Sequence, residues 1–405
     1  MAEDGINSNL GLVKISGSAG NFSFDQLGSY DLTVKEVVMG ESLLQPGLHT
    51  AITFQSYIYN NKNLDQLKNK NLSMTLRSDL AGAMTFNQKI YRLDTREFMP
   101  VNVGQTEEFT VHACDQSLLN DAKALVSKSW KCETPDTIVK YALESCAGAQ
   151  NIQVDSAQPS RDYVAENIHP FQVISQQANV ALEGDDPSFL HFMTFEEGGK
   201  HYFTSLKKLC QGPPFRVFRH SETGVTGGHD YNRNRDTAIS FSFPCDFDLL
   251  SDLLNGVDEN GQNINTLTTA NPFNGAMQLL GGIGGGLSGM MGGCGVGSGN
   301  PKQSTTDKGT NKTGCETDVE KHLLKRQARM GLLEKDKVAL RITVPWDPQL
   351  HVGKLIELRW EDKKGNVIYG SGVYLVSSMM HKIQFGGFAV TTMDCVSQTA
   401  GGGVV

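Results

Sequence analysis

The sequence predicts a mainly β protein with an α+β middle region, and three observations carry that prediction. Both ends of the chain are runs of short segments with apolar residues at every second position, and the middle instead holds two helix starts and a hairpin pattern. A period of two buries one face of a strand and wets the other.

At the N-terminal end, Leu32, Val34 and Val38 alternate with Thr33, Lys35 and Val37. Ile52, Phe54, Ser56 and Ile58 share one face, and Leu72, Met74 and Leu76 share another. Further strands are predicted at Lys89 to Thr95 and Glu107 to Ala113. Gly40, Pro46-Gly47, Asn60-Asn61 and Gly104 punctuate these runs, which predicts an antiparallel barrel or sandwich over residues 1–115.

Residues 116–215 read as a mixed α/β domain. Thr134-Pro135 is a helix start with Thr at the cap and Pro in the first turn, and Ile138, Val139, Ala142, Leu143 and Cys146 then fall on one helical face. His169-Pro170 opens a second helix through Val173, Ile174, Ala178, Ala181 and Leu182. Phe189 to Phe195, the turn Glu196-Glu197-Gly198-Gly199 and His201 to Leu206 form a hairpin pattern.

Residues 216–255 join the mixed domain or the second barrel, with a strand at Thr237 to Phe243 and a short helix at Asp246 to Leu254. Residues 256–335 hold an insertion, a linker and a basic helix. Gly281 to Gly299 contains eleven glycines, and ordering so many costs much backbone entropy. This stretch is predicted as a linker, with a lumen plug as the alternative. Glu316 to Leu333 is the basic helix, carrying Lys321, His322, Lys325, Arg326 and Arg329; a solvated face and an acidic partner are its two readings.

Residues 336–398 return to strands. Leu340, Ile342 and Val344 alternate with Arg341 and Thr343, and Ile356, Leu358 and Trp360 alternate with Glu357, Arg359 and Glu361. Lys363-Lys364-Gly365-Asn366 is a turn, Val373 to Met380 a long strand, and Phe388 to Val396 the closing one. Residues 399–405 are a flexible tail. Strand-rich blocks at both ends suggest a structural duplication.

At 405 residues the chain accommodates about two to four domains. A formal charge of −8 argues against a nucleic-acid footprint built from clustered Lys and Arg, while leaving room for DNA passing through a channel that binds it weakly. The eight cysteines include no C-x-x-C pair, so they give zinc no local nucleus and read as buried thiols; only Cys294 and Cys315 bracket a segment that oxidation would close. Met1 to Asn9 lacks a basic region followed by an apolar run, so no signal peptide is expected, and no apolar stretch is long enough to span a membrane.

Enzymatic chemistry finds little support. His220, His229, Asp230 and Asp236 share a polar region fit in principle for a metal or for hydrolysis, yet no H-E-x-x-H, no G-x-S-x-G and no placed acid pair occurs. His112, His191 and His201 fall in strands and read as structural. Cys210 lacks a placed His partner and reads as a packed thiol. Gly281 to Gly286 lacks the Gly-Lys-Ser/Thr ending of a phosphate loop. No catalytic, cofactor-binding or metal-ligating residue is assigned, and no cofactor is expected.

The order of parts resembles the baseplate hub of contractile phage tails, a family shared with the hub half of type VI secretion spike proteins. The residues that carry the resemblance are Asn167-Ile168-His169-Pro170-Phe171-Gln172-Val173-Ile174 at the helix opening, and Phe189-Leu190-His191-Phe192 through Tyr202-Phe203 in the hairpin. Leu340 to Val344 through Val352-Gly353-Lys354-Leu355-Ile356, then Gly372 to Val376 and His381, complete it. The resemblance implies two tube-like antiparallel β-barrels flanking the mixed domain, and a homotrimer presenting six barrels in a ring. It also implies a virion location in the tail baseplate, assembled in the host cytoplasm. The implied partners are the tail tube protein, the central spike protein, baseplate wedge proteins and a tape-measure protein, with DNA only in transit. The alternatives are a tail-associated peptidoglycan hydrolase and a simple tail-tube or neck protein.

Overall fold

The computed structural model describes residues 13–25, 32–56, 67–78, 82–94, 97–101, 104–221, 235–244, 322, 325–326, 329–331, 333, 339–368, 370–384 and 389–397. The first block supplies β1 (Val13–Ala19), β2 (Phe22–Asp25), β3 (Leu32–Ser42), β4 (His49–Ser56), β5 (Asn71–Ser78), β6 (Gly82–Leu93), β7 (Glu97–Val101) and β8 (Gly104–Cys114). Strands β3, β2, β1, β5, β6, β8 and β4 pair in that order and β4 pairs again with β3, so the ring closes. The fold is therefore a barrel and not a sandwich, and all its pairings are antiparallel except β2 with β3. Ile15, Phe24, Phe54, Leu72, Met74, Phe86 and Phe109 fill its core.

The apolar phase of β3 differs from the simple alternation. The register shifts between Val34 and Glu36, so one extra residue enters the strand and the inward set changes parity. Val37, Met39 and Glu41 point inward and are buried, and Val38 moves to the outer face with Val34 still inside. A period-two reading cannot see this, because a one-residue bulge flips every side chain beyond it.

The middle block holds α1 (Gln116–Lys123), β9 (Val126–Glu133), α2 (Pro135–Tyr141), β10 (Ile152–Val154), β11 (Arg161–Ile168), α3 (Pro170–Ala178), β12 (Phe189–Thr194), β13 (Lys200–Ser205) and α4 (Leu206–Leu209). Both predicted helix starts are present, and both carry Pro in the first turn. The Thr134 hydroxyl bonds that of Thr137 at 3.0 Å and leaves the backbone N–H groups of α2 uncapped. A π turn over Ala142–Ala147 extends α2, ending at left-handed Gly148. Ile138, Val139, Leu143, Val173 and Ile174 bury against Phe189 and Phe203 of the β12–β13 hairpin. The turn of that hairpin caps the first barrel, with the Phe195 ring 5.1 Å from that of Phe86 and tilted 56° to it.

The last block adds β14 (Arg216–Ser221), β15 (Ser240–Ser242), β16 (Leu340–Pro345), β17 (Leu355–Glu361), β18 (Gly372–Gln384) and β19 (Ala389–Val396). These pair in the order β14, β17, β18, β19, β16, β15. Residues 340–397 do not close by themselves. Closure runs through β14 and β15, where a bridge joins Arg219 to Thr237. Gly353 sits in the turn before β17 at a φ of +81°, donates its N–H to the Val376 carbonyl at 2.9 Å, and leaves a Cβ only 3.3 Å from Leu209 and Phe192. Only glycine meets both demands.

The described part of the basic helix is docked on the middle domain. Arg326 donates to the Pro187 and Phe189 carbonyls at 2.9 and 3.3 Å and to the Asn179 side chain at 3.1 Å, and Arg329 pairs with Asp186 at 3.3 Å. Neither the solvated face nor an outside acidic partner accounts for these two residues. The predicted helix at Asp246 to Leu254, the glycine-rich stretch Gly281 to Gly299 and the cysteines Cys294 and Cys315 lie outside the described residues.

Gly17 of β1 tests the packing of the first barrel. A Cβ there would lie 2.2 Å from the Ser73 carbonyl oxygen and 2.6 Å from the Phe24 ring. Gly17→Ala is expected to lower the unfolding free energy by about 1–3 kcal/mol, read from the urea midpoint. An unchanged midpoint would show that the β1–β5 contact is looser than described.

Candidate functional site: a shared sheet and its buried joint

The two barrels are fused through one strand pair. Residues Glu36–Ser42 of β3 pair antiparallel with Ser378–Gln384 of β18, in register Met39 opposite His381. Each strand serves two masters. The start of β3 pairs with β2 inside the first barrel, and the start of β18 pairs with β17 inside the second. One sheet therefore runs unbroken through β15, β16, β19, β18, β3, β4 and β8.

Its outer face is mostly polar, with Met380 an exposed apolar side chain on it. One rung carries Ser240, Thr343, Thr392, Met380, Gly40 and His49 across six strands. Facing hydroxyls meet at 3.2 Å between Thr343 and Thr392 and at 3.0 Å between Thr53 and Thr110. Arg341 grips Asp394 through two bonds of 2.6 and 3.1 Å, Lys382 meets Glu36 at 2.7 Å, and the bulged Lys35 meets Glu108 at 2.6 Å. Part-exposed pairs like these contribute little stability each. Their effect is on the surface field, since each of these three cations already has its anion.

Beneath the sheet lies a buried charge. The carboxylate of Glu41 accepts from the Phe195 N–H at 2.7 Å, the Val352 N–H at 3.0 Å and His351 Nδ1 at 3.0 Å. Those donors belong to the hairpin of the middle domain and to the loop of the second barrel, whereas Glu41 belongs to the first. Burial pushes the Glu41 carboxyl up, yet His351 and the hydrogen bonds outweigh it and hold the group below the usual carboxylate range. A cavity of about 380 Å³ opens beside this joint, with His351, Lys354, Glu196 and Phe215 in its wall. Arg216 completes the second-barrel side, pairing with Asp236 at 3.1 Å and with Asp347 at 2.5 Å.

The residues weighed for chemistry are dispersed. His112 lies on the outer face against Asp94 at 2.7 Å. His220 is in β14 with its ring 5.1 Å from Phe241, and Asp236 is committed to Arg216 and Arg235. His229 and Asp230 lie outside the described residues. Cys210 is exposed and not the packed thiol expected, yet desolvation of its sulfur raises its pKa, opposite to what a nucleophile needs. Ser117 does contact His201 at 2.9 Å, but Asp115 bonds the serine and not the histidine. The other nitrogen of His201 faces His191 at 3.2 Å, so the acid-base-nucleophile order of a hydrolase is absent from this chain of contacts. Among the described residues no group of three His, Cys, Asp or Glu is placed to hold a metal ion.

Sequence reasoning missed Glu41 and His351. Glu41 had a legible signal: once the bulge is allowed, it stands in phase with Val37 and Met39, an acid in an inward series. His351 carries no such pattern.

The geometry has counterparts among solved structures. A tail protein from Neisseria meningitidis aligns with a TM-score of 0.50 at 8% identity, covering 95% of this chain and 96% of that one. A 43 kDa tail protein of prophage MuSo2 from Shewanella oneidensis aligns with a TM-score of 0.52 at 10% identity, covering 96% and 98%. An E. coli component of the type VI secretion system aligns at 0.48 and 7% identity, over 97% of this chain and 79% of that one. No protein-family model and no curated protein matches the sequence. The chain thus has the fold of phage tail proteins over nearly its whole length.

Two measurements test the joint. Glu41→Gln removes the charge but keeps the shape, and facing buried donors with an amide is expected to cost about 3–5 kcal/mol by urea unfolding. A loss under 1 kcal/mol would demote the joint to a filler of space. The second is acid titration. Burial lowers His381 and His201 to about 4, and His191 well below the ordinary 6.5. Since the unfolded chain binds these protons first, stability is full above about pH 6.5 and falls toward about pH 4, His381 alone being worth on the order of 3 kcal/mol. Thermal midpoints that stay flat across that window would contradict neutral burial.

Proposed function

We propose that this protein is a structural component of a phage or phage-like injection tail, acting as a trimeric baseplate hub between a sixfold tail tube and a threefold central spike. The observation that carries the reading is the shared sheet: one chain holds two barrels fused through β3 and β18 into a single wall. Three copies then offer six barrels, and a cyclic ring of heterologous contacts converts a threefold assembly to pseudo-sixfold. The matching roles of β3 and β18 favour an origin by duplication.

In this reading the outer face of the shared sheet lines the passage. Lys35, Lys382 and Arg341 are each neutralised within the sheet. DNA in transit meets hydroxyls, closed ion pairs and the exposed Met380, a surface with little hold on a phosphate backbone. The tail tube, the spike, the wedge proteins and a tape-measure protein are the expected neighbours. The work is mechanical and no catalytic group is assigned.

Negative-stain averages of the purified protein are expected to show a ring of three subunits with a six-lobed outline. A ring of six single-lobed subunits would favour a tail-tube or neck role instead. Zymography on peptidoglycan is expected to give no cleared band, and a band would revive the hydrolase alternative.

A further inference from the structure

We propose that the Glu41–His351–His381 cluster is a proton-operated release joint, in which proton uptake by His381 separates β3 from β18 while each barrel stays closed. The inference concerns the chain itself and does not rest on the tail-hub reading.

The geometry supplies the argument. His381 is fully buried on the rung that joins the barrels, opposite Met39 on one side and Thr391 on the other. Its Nδ1 meets the Thr391 hydroxyl at 2.8 Å, whereas its Nε2 has no partner and the ring lies edge-on to Trp346 at 6.5 Å between centroids. An imidazolium needs an acceptor at both nitrogens. Protonation in place would thus strand a charged N–H in an apolar setting, which is costly.

The neighbouring anion does not relieve it. Glu41 is already engaged by Phe195, Val352 and His351. From the loop of the second barrel, His351 faces the cluster beside Asp347, which is held by Arg216. From the middle domain, Glu196 faces Lys354 and His351, with its carboxylate engaged by the Tyr202 hydroxyl. On the outer face, Lys382 pairs with Glu36 and Asp394 with Arg341, both turned away from the imidazole. Burial dominates over Glu41 and keeps His381 neutral to about pH 4. Opening the β3–β18 pair gives the ring water at both nitrogens, so acid favours the open joint. Each barrel keeps its other pairings: β18 with β17 and β19, β3 with β2 and β4.

Hydrogen exchange of the full chain, read by mass spectrometry and corrected for the intrinsic pH dependence, tests this. Between about pH 7 and about pH 4.5, protection of the amides of 36–42 and 378–384 that bond across the joint is expected to fall roughly tenfold per pH unit below the ordinary histidine pKa, staying well below that of 71–78 and 82–93 at every pH. His381→Asn, which keeps a hydrogen-bonding group near Thr391 without titrating, is expected to remove that local loss. If this variant does not fold, the wild-type pattern still decides. Protection at the joint that equals that of the β5–β6 pair across the window means opening only by global unfolding and overturns the proposal, as does unchanged protection at the joint. A local loss that persists in folded His381→Asn also overturns it.

Discussion

One buried carboxylate holds the three parts of this molecule in register. Glu41 stands on the last inward position of β3, and its two oxygens collect N–H groups from the middle domain and from the second barrel. A buried anion is tolerated only where donors surround it, so the three modules must meet at that point or the charge is left unpaired. Hydrophobic contact alone does not impose such a condition. The cores of the barrels and the middle domain interleave, with Phe195 and Trp346 inside the first barrel and Leu43 and Phe192 inside the second, but apolar surfaces slide more easily than hydrogen bonds.

The strand pairing sets what that point holds together. Both β3 and β18 are long strands whose far halves pair with their own barrel along one edge, with β4 and β19, and with each other along the opposite edge. The fused wall removes two edges that would otherwise be free to pair with foreign strands. It also aligns the outward side chains of both barrels on one continuous, mostly polar surface. Charge is used differently on its two sides: exposed pairs above quiet the field, whereas the pair below fixes geometry.

Much of this was legible in the sequence. The helix starts at Thr134-Pro135 and His169-Pro170, the β12–β13 hairpin and the alternation in β5 and β16 came from local rules, and the structure has all of them. The phase of β3 beyond Val34 was misread because a bulge leaves no mark in apolar period. The second barrel, read from 340–397, takes part of its wall from Arg216–Ser221 and Ser240–Ser242, partners distant in sequence. The basic helix carried a charge pattern but no sign that Arg326 would seek carbonyls at Pro187 and Phe189.

By itself the sequence determined the element types, the absence of a recognisable catalytic motif and the division into strand-rich ends around a mixed middle, since propensity and periodicity act over a few residues. Only the tertiary structure decided that β3 and β18 join, that Glu41, His351 and His381 meet beneath them, and that the barrels form one wall. Those contacts span more than three hundred residues of chain, from Glu41 to His351, and no local pattern encodes which distant donor will satisfy a given buried acceptor.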